Sequence, residues 1–468
     1  MPEIIVLGGG VGGLAAAILL ARDGHDVTVL ERDGAPVPDT LDGAWEAWER
    51  SGVTQFRQPH YLLPLGRTVL DEELPEVRDE LVVLGACRFD ALGLMPPTIA
   101  DRAPRPGDER FPTITARRPA IELAFARVAQ DEPGVEIRRG VGAAALVAGR
   151  RDGVPHVAGV RTDAGDELRA DLVVDATGRR SQLPRLLQAI GAAPPHEEAE
   201  DSGFIYYTRY FRARNGGLPQ PRAPLLSPLP SFSVLTLPAD NDMWSVTLYI
   251  STGDRPLKGL RDAERFTAVV AACPLHAHWL DGEPITDVLA MGGVIDRYRR
   301  LVVDGRPVAT GVAAVADAWA CTNPSLGRGM ALGLLHARCL RDYVRRHLES
   351  PAEFAEVWDR VTEAEVTPWY RDTVAEDRAR LRDLEAAQRG DGSTRPPDRE
   401  DALRAGLFGA AGRDPDLFRA MLETRCCLAT TREVLARPGV PERIRELAPD
   451  GPAPLPAPSR EELLALVS

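Results

Sequence analysis

Apolar positions follow two rhythms in the first 32 residues. Residues 4–7, Ile-Ile-Val-Leu, form an unbroken apolar run, the pattern of a strand buried on both faces. A glycine-rich turn, Gly8 to Gly13, follows. Residues 14–23 are rich in Ala and Leu and predict a helix that stops at Gly24. Residues 26–30 predict a second strand, ending at Glu31 and Arg32. Together these segments predict a β-α-β unit.

Farther on the pattern breaks, with many prolines between 34 and 112. A helix is predicted over 61–74 and another over 117–130, with apolar Ile121, Leu123, Phe125 and Val128. Residues 135–137 predict a short strand and 141–175 a β-meander. That meander returns as Leu172-Val173-Val174-Asp175 and then Ala176-Thr177-Gly178. Alternation at 208–211, 231–237 and 244–250 predicts strands of a second domain, with a helix at 263–272. It also sets Phe204, Tyr206 and Thr208 on one face, a candidate wall for an apolar substrate, with Tyr207, Tyr210 and Phe211 in the same aromatic cluster. A small apolar strand at 307–316, a loop at 317–329 and a helix at 330–348 come next. The tail from 351 is charged and helical, interrupted by a Gly/Pro-rich linker at 390–397. A proline-rich, irregular stretch covers 449–458.

The 468 residues require more than one core. The net charge of −13 argues against a nucleic-acid reader, which needs a basic face. Lys258 is the only lysine, so nearly every cation is Arg, the bias of a GC-rich coding sequence. That bias makes an Arg cluster weak evidence for an anion site. Six scattered cysteines form neither C-x-x-C nor a zinc pattern, which predicts reduced thiols, no metal site and a cytoplasmic location. The adjacent Cys426 and Cys427 are expected within a helix. No run approaches the roughly 20 apolar residues of a spanning helix, so no membrane partner is expected.

Gly8-Gly9-Gly10-Val11-Gly12-Gly13 is a G-x-G-x-x-G placed after a strand and before a helix. Gly8 serves the tight turn, Gly10 a close pyrophosphate, and Gly13 the helix–strand contact. The helix start, with Val11 and Gly12, offers N–H groups to phosphate. Glu31 ends the next strand and can accept ribose hydroxyls. A second such pattern, Gly140 to Ala145, lies inside the meander with no helix after it, so no second nucleotide domain is expected. Asp317, followed by Pro324, Gly327, Gly329 and Met330, forms another strand-loop-helix. An Asp at a strand end offers acceptors to sugar hydroxyls.

These segments together resemble the para-hydroxybenzoate hydroxylase-like superfamily of FAD-dependent monooxygenases. The resemblance implies an α/β fold: a Rossmann-like FAD-binding domain of parallel sheet plus β-meander, an inserted α+β substrate domain, and a C-terminal helical region. Its expected division is FAD-binding parts at 1–80, 113–195 and 291–348, a substrate-side insertion at 81–112, a substrate domain at 196–290 and helices at 349–468. It implies that Asp317 binds the ribityl chain, with Ala316 where the family has Gly. It further implies that Pro324, Gly327, Gly329 and Met330 approach the flavin, that Glu31 and Arg32 border the adenosine, and that Arg118 leans over the phosphates. Asp175 and Gly178 match the family's second glycine motif loosely. Gln55-Phe56-Arg57-Gln58-Pro59-His60 resembles the Q-x-R-x-x-H segment of squalene-epoxidase-like actinobacterial monooxygenases. That likeness makes Arg57 and His60 pocket candidates.

The implied activity is hydroxylation or epoxidation of a small organic substrate of secondary-metabolite type through a flavin C4a-hydroperoxide. Dioxygen and NAD(P)H are the co-substrates, the latter acting directly or through a flavin reductase. Three alternatives share the fold: a geranylgeranyl reductase-like reductase or dehydrogenase, a halogenase, and a non-catalytic flavoprotein. The halogenase lacks support, because its lysine and W-x-W segment are absent here.

Overall fold

The computed structural model describes residues 1–390, 399–449 and 454–468. The linker expected at 390–397 lies, from 391 on, outside the described residues, as do 450–453 of the proline-rich stretch.

The two apolar runs at the N-terminus form strands Glu3–Leu7 and Asp26–Glu31, joined by helix Val11–Arg22. Nearly every residue of that helix is buried, because sheet and later helices enclose it. Gly24, in the left-handed region at φ 86°, ends it. The sheet has five parallel strands in the order Val312–Ala314, Leu172–Asp175, Glu3–Leu7, Asp26–Glu31, Val135–Arg139. Its order runs outward both ways from Glu3–Leu7, so the crevice beyond that strand's carboxyl end is where open α/β sheets bind ligands. The predicted meander is present as Ala143–Arg151, Val154–Thr162 and Glu167–Arg169.

The last parallel strand is shorter than the apolar run at 307–316. Gly311, at φ 71°, interrupts it where a Cβ would lie 2.1 Å from the Val157 carbonyl oxygen. The helix expected at 61–74 starts only at Pro64, because the residue before a proline avoids helical geometry. Cys426 and Cys427 follow helix Pro415–Arg425 rather than lying within it, and Cys427 turns left-handed at φ 57°.

The second sheet is antiparallel. Strands Ser233–Pro238, Met243–Ser251 and Phe204–Arg212 form its centre, and Leu289–Met291 joins beside Phe204–Arg212. One face packs Tyr207, Phe211, Val246 and Leu248 under helix Ala263–Ala271. The C-terminal helix Arg460–Val467 completes that cover with Leu463 and Val467, so it belongs to this layer rather than to the other tail helices. The opposite face turns toward the parallel sheet. The two layers are pinned by Arg117, whose buried guanidinium donates to both Asp240 oxygens, at 2.7 Å for the shortest contact. A small third sheet, His196–Asp201 with Ile295–Arg300 and Ala320–Cys321, had no apolar signal, since its first strand reads HEEAED.

Candidate cofactor and active site

The carboxyl ends of the parallel strands, the loop at 52–61 and one face of the antiparallel sheet enclose a cavity of about 300 Å³. Gly8, Gly10, Val11 and Gly12 line it. Gly8 sits at φ 102°, and a Cβ there would meet the Ala176 carbonyl oxygen at 2.6 Å. Gly13 does not line the cavity. A Cβ on it would stand 2.0 Å from the Gly8 carbonyl oxygen, so its duty is the helix–strand contact. Nothing lies within 4 Å of a Cβ built on Gly10. The helix that follows has no side-chain cap, which leaves its first N–H groups for a ligand.

Glu31 and Arg32 line the adjoining wall. Glu31 is not a free acceptor. Its Oε2 accepts from Gly9 N at 2.9 Å and Arg50 Nη2 at 3.0 Å, and its Oε1 accepts from Asp33 N. Any ribose hydroxyl must share it. Arg50, unforeseen in the sequence, is the centre of this wall: it also faces Glu122 and Asp33, each at 3.4 Å. Burial opposes its charge, but Glu122, Glu31 and Asp33 outweigh burial and raise its pKa.

Arg118 lines the cavity at the start of helix Arg118–Asp131 and pairs with Glu122 at 2.6 Å. Its Nη1 stands 3.2 Å from His60 Nε2, while His60 Nδ1 is 2.9 Å from the Gln58 carbonyl oxygen. Burial and the Arg118 charge push the His60 pKa down to about 3, so the ring is neutral. Nδ1 therefore donates to Gln58, and Nε2 accepts from Arg118. His60 holds an arginine in place and is no proton donor near neutrality. Arg57 departs from expectation. It donates to the Trp45 and Glu46 carbonyls and lies outside the cavity lining, since carbonyl acceptors hold it against helix Leu41–Glu46.

On the far side, Asp317, Pro324, Gly327, Gly329 and Met330 all line the cavity. Helix Gly329–His347 points its uncapped N-terminus at it. Asp317 accepts no hydrogen bond from any described residue. Burial raises its pKa, against the pull of Arg179 and Arg118. Arg179, also missed in the sequence, lines the same cavity, and its buried Nε has no protein partner. Ala316, where a glycine was expected, adopts φ 51°. Its N–H donates to Nδ1 of buried His336, which stacks on Trp358 at 4.6 Å. Asp175 lines the cavity too, but both of its oxygens accept from Thr177 and Ser181, so it shapes its own turn. Val141, Gly142 and Ala143 of the second glycine pattern line this same cavity.

The loop before the far helix is held from three sides. Asn323 N donates to Asp296, Ser325 hydroxyl to Asp377, and Tyr206 hydroxyl to Asn323 Oδ1 at 2.6 Å. Burial, helped by Asp296, raises the Asp377 pKa to about 7, although Ser325 and Asn323 oppose it. Burial raises Asp296 to about 6. Glu200, Asp201 and Arg378 face Asp296, and Glu376 neighbours Asp377. Between the ordinary 3.8 and these values the folded chain keeps protons that the unfolded chain has lost. Their contribution to stability is therefore present at low pH and falls as pH rises through 4 to 7. Asp377→Asn is expected to raise the melting temperature by more at pH 8 than at pH 5. Equal shifts in thermal melts at both values would refute this.

Residues 6–38 match the model for an NAD(P)-binding Rossmann-like domain. Protein Rv3254 of Mycobacterium tuberculosis is 26% identical over 357 residues, 72% of each chain. PqsL, a probable FAD-dependent monooxygenase from Pseudomonas aeruginosa, superposes with a TM-score of 0.58 and 18% identity, over 82% of this chain and 99% of that one. The chain shares the fold of that protein. A flavoprotein/dehydrogenase from Cytophaga hutchinsonii shares this fold, with a TM-score of 0.62 and 15% identity over 96% of this chain and 98% of that one. The matched Rossmann segment supplies the glycine turn and the wall at Glu31 and Arg32. The Asp317 side of the cavity comes from nearly 300 residues later. Among the described residues no cluster suits a metal ion, and no helix is long and apolar enough to cross a membrane.

Proposed function

We propose that this cavity holds FAD and that the chain is an FAD-dependent monooxygenase acting on a small organic substrate. The observation that carries the reading is the Asp317 carboxylate, which faces the cavity without a protein donor. A carboxylate that faces a cavity with no protein donor keeps its acceptor sites for a ligand. The hydroxyls of a ribityl chain are such donors. Two uncapped helix N-termini and the open space above Gly10 suit a pyrophosphate at one end and an electron-rich ring at the other. Arg118 and Arg179 add positive charge along the same wall.

Bound FAD would supply the redox chemistry, carrying electrons from NAD(P)H, delivered directly or by a partner reductase, to dioxygen. The chain's own residues bind, orient and exclude water. His60, Glu122 and Arg50 fix Arg118 and Glu31, while Tyr206 and Asp377 hold the loop that presents Gly327 and Gly329.

Asp317→Ala is expected to retain about one fifth or less of the wild-type FAD, with an unchanged fold by circular dichroism. Flavin released on denaturation measures this; full retention would remove the main support. The reaction type is tested with NAD(P)H, candidate substrates and isotope-labelled dioxygen, label in the product being the expected result. Turnover that persists without oxygen would instead favour a dehydrogenase, the reading supported by the likeness to the Cytophaga hutchinsonii protein.

A further inference from the structure

The cavity's second wall is the inner face of the antiparallel sheet. Its register sets Leu235, Thr247 and Thr208 in one row, and Tyr249, Tyr206 and Met291 in the next. Of these, Tyr206, Leu235, Thr247 and Met291 line the cavity, and none carries a charge. Their polar atoms are already used. Tyr206 hydroxyl donates to Asn323, and the Thr208 and Thr247 hydroxyls are 2.9 Å apart. His60, at the edge of this wall, spends both ring nitrogens on Gln58 and Arg118.

Gln58 is different. It comes from the other layer, on the loop that also carries His60, and lies across the sheet. Only 8% of it is exposed, and it lines the cavity. Its backbone is fixed on both sides: N donates to the Gln55 carbonyl at 3.0 Å, and O accepts from His60. Its Oε1 accepts from the Thr208 hydroxyl at 3.1 Å. Thr208 thereby holds the Oε1 end of the amide against the sheet. The remaining atom, Nε2, has two N–H donors and no acceptor among the described residues.

We propose that Gln58 is a substrate-positioning residue whose Nε2 donates to a carbonyl oxygen of an uncharged, otherwise apolar substrate. The neighbouring Leu235, Met291 and Pro59 supply the apolar surface, and the lining residues of the sheet wall offer a carboxylate no cation there, the cavity's arginines standing on its other walls. This inference rests on the flavin reading for the placement of cofactor and substrate, but its test does not need turnover.

The test is calorimetric titration of the full chain, with and without added FAD, using acetophenone, ethylbenzene and benzoate. Acetophenone is expected to bind the wild-type protein about tenfold more tightly than ethylbenzene, with benzoate weaker than acetophenone. Gln58→Leu is expected to bring the ketone-to-hydrocarbon ratio to about one while leaving ethylbenzene binding intact. Thr208→Val, which frees the amide to turn, is expected to reduce the ratio without touching the cavity's charge. Unchanged FAD content in both variants would show that they fold. The proposal is overturned if Gln58→Leu keeps the preference, if benzoate binds as well as acetophenone, or if no probe binds. Failure to take up FAD with the ketone preference intact would sink the flavin reading and leave Gln58 as a carbonyl-binding donor of this cavity.

Discussion

Arg50→Met is expected to destabilise the chain by about 3–5 kcal/mol, the usual cost of stripping one partner from a buried ion group. Arg50 is 5% exposed and stands against Glu31, Glu122 and Asp33. It also donates to the Gly9 carbonyl, so its loss loosens the turn as well as the charges. Glu122 is fully buried and, among the described residues, keeps Arg118 as its remaining ion-pair partner. The double variant Arg50→Met with Glu122→Gln removes one of the stranded charges and is expected to recover part of the loss. Urea unfolding monitored by tryptophan fluorescence measures both. A single variant as stable as wild type would show that water reaches this wall and screens it.

Gly10→Val is expected to weaken FAD binding by about a hundredfold or more while the apo chain melts at the wild-type temperature. The reason lies in where the methyl groups go. A Cβ at Gly10 meets no protein atom within 4 Å, so the fold accepts it, but it occupies the approach to the helix N-terminus. Gly13→Val is the contrasting variant. Its Cβ would fall 2.0 Å from the Gly8 carbonyl oxygen, so that chain is expected to lose stability as well as cofactor. Fluorescence titration with FAD, paired with thermal melts, separates the two. Tight FAD binding by Gly10→Val would place the pyrophosphate elsewhere.

The parallel sheet was legible because strands buried on both faces leave unbroken apolar runs, as at Ile4 to Leu7 and Leu172 to Val174. The glycine turn was legible because its geometry admits few residue types. Asp317 was singled out by its strand-loop-helix setting and by the family resemblance, and the structure brings it to the cavity with Gly327 and Gly329. Arg50 and Arg179 were not found. With almost every cation an Arg, nothing local marks which of them turn inward; only the partners across the fold do. The strand His196–Asp201 was missed because it pairs by backbone bonds and surface charge rather than by burial. Arg57 was misplaced since a linear segment cannot tell which of its polar residues faces inward; here Gln58 does and Arg57 does not.

The left-handed Ala316 sets a limit on redesign. Its methyl group sits where a Cβ on Gly12 would approach to 3.0 Å and one on Gly333 to 3.3 Å. The starts of the two helices that aim at the cavity therefore both close on this one methyl group. Enlarging any of these three residues would drive the helix starts apart and stretch the seat between them. An engineer seeking a roomier enzyme has no freedom on that side. The freedom lies on the sheet, where Leu235 and Met291 can be traded for smaller or larger residues while both helices stay where they are.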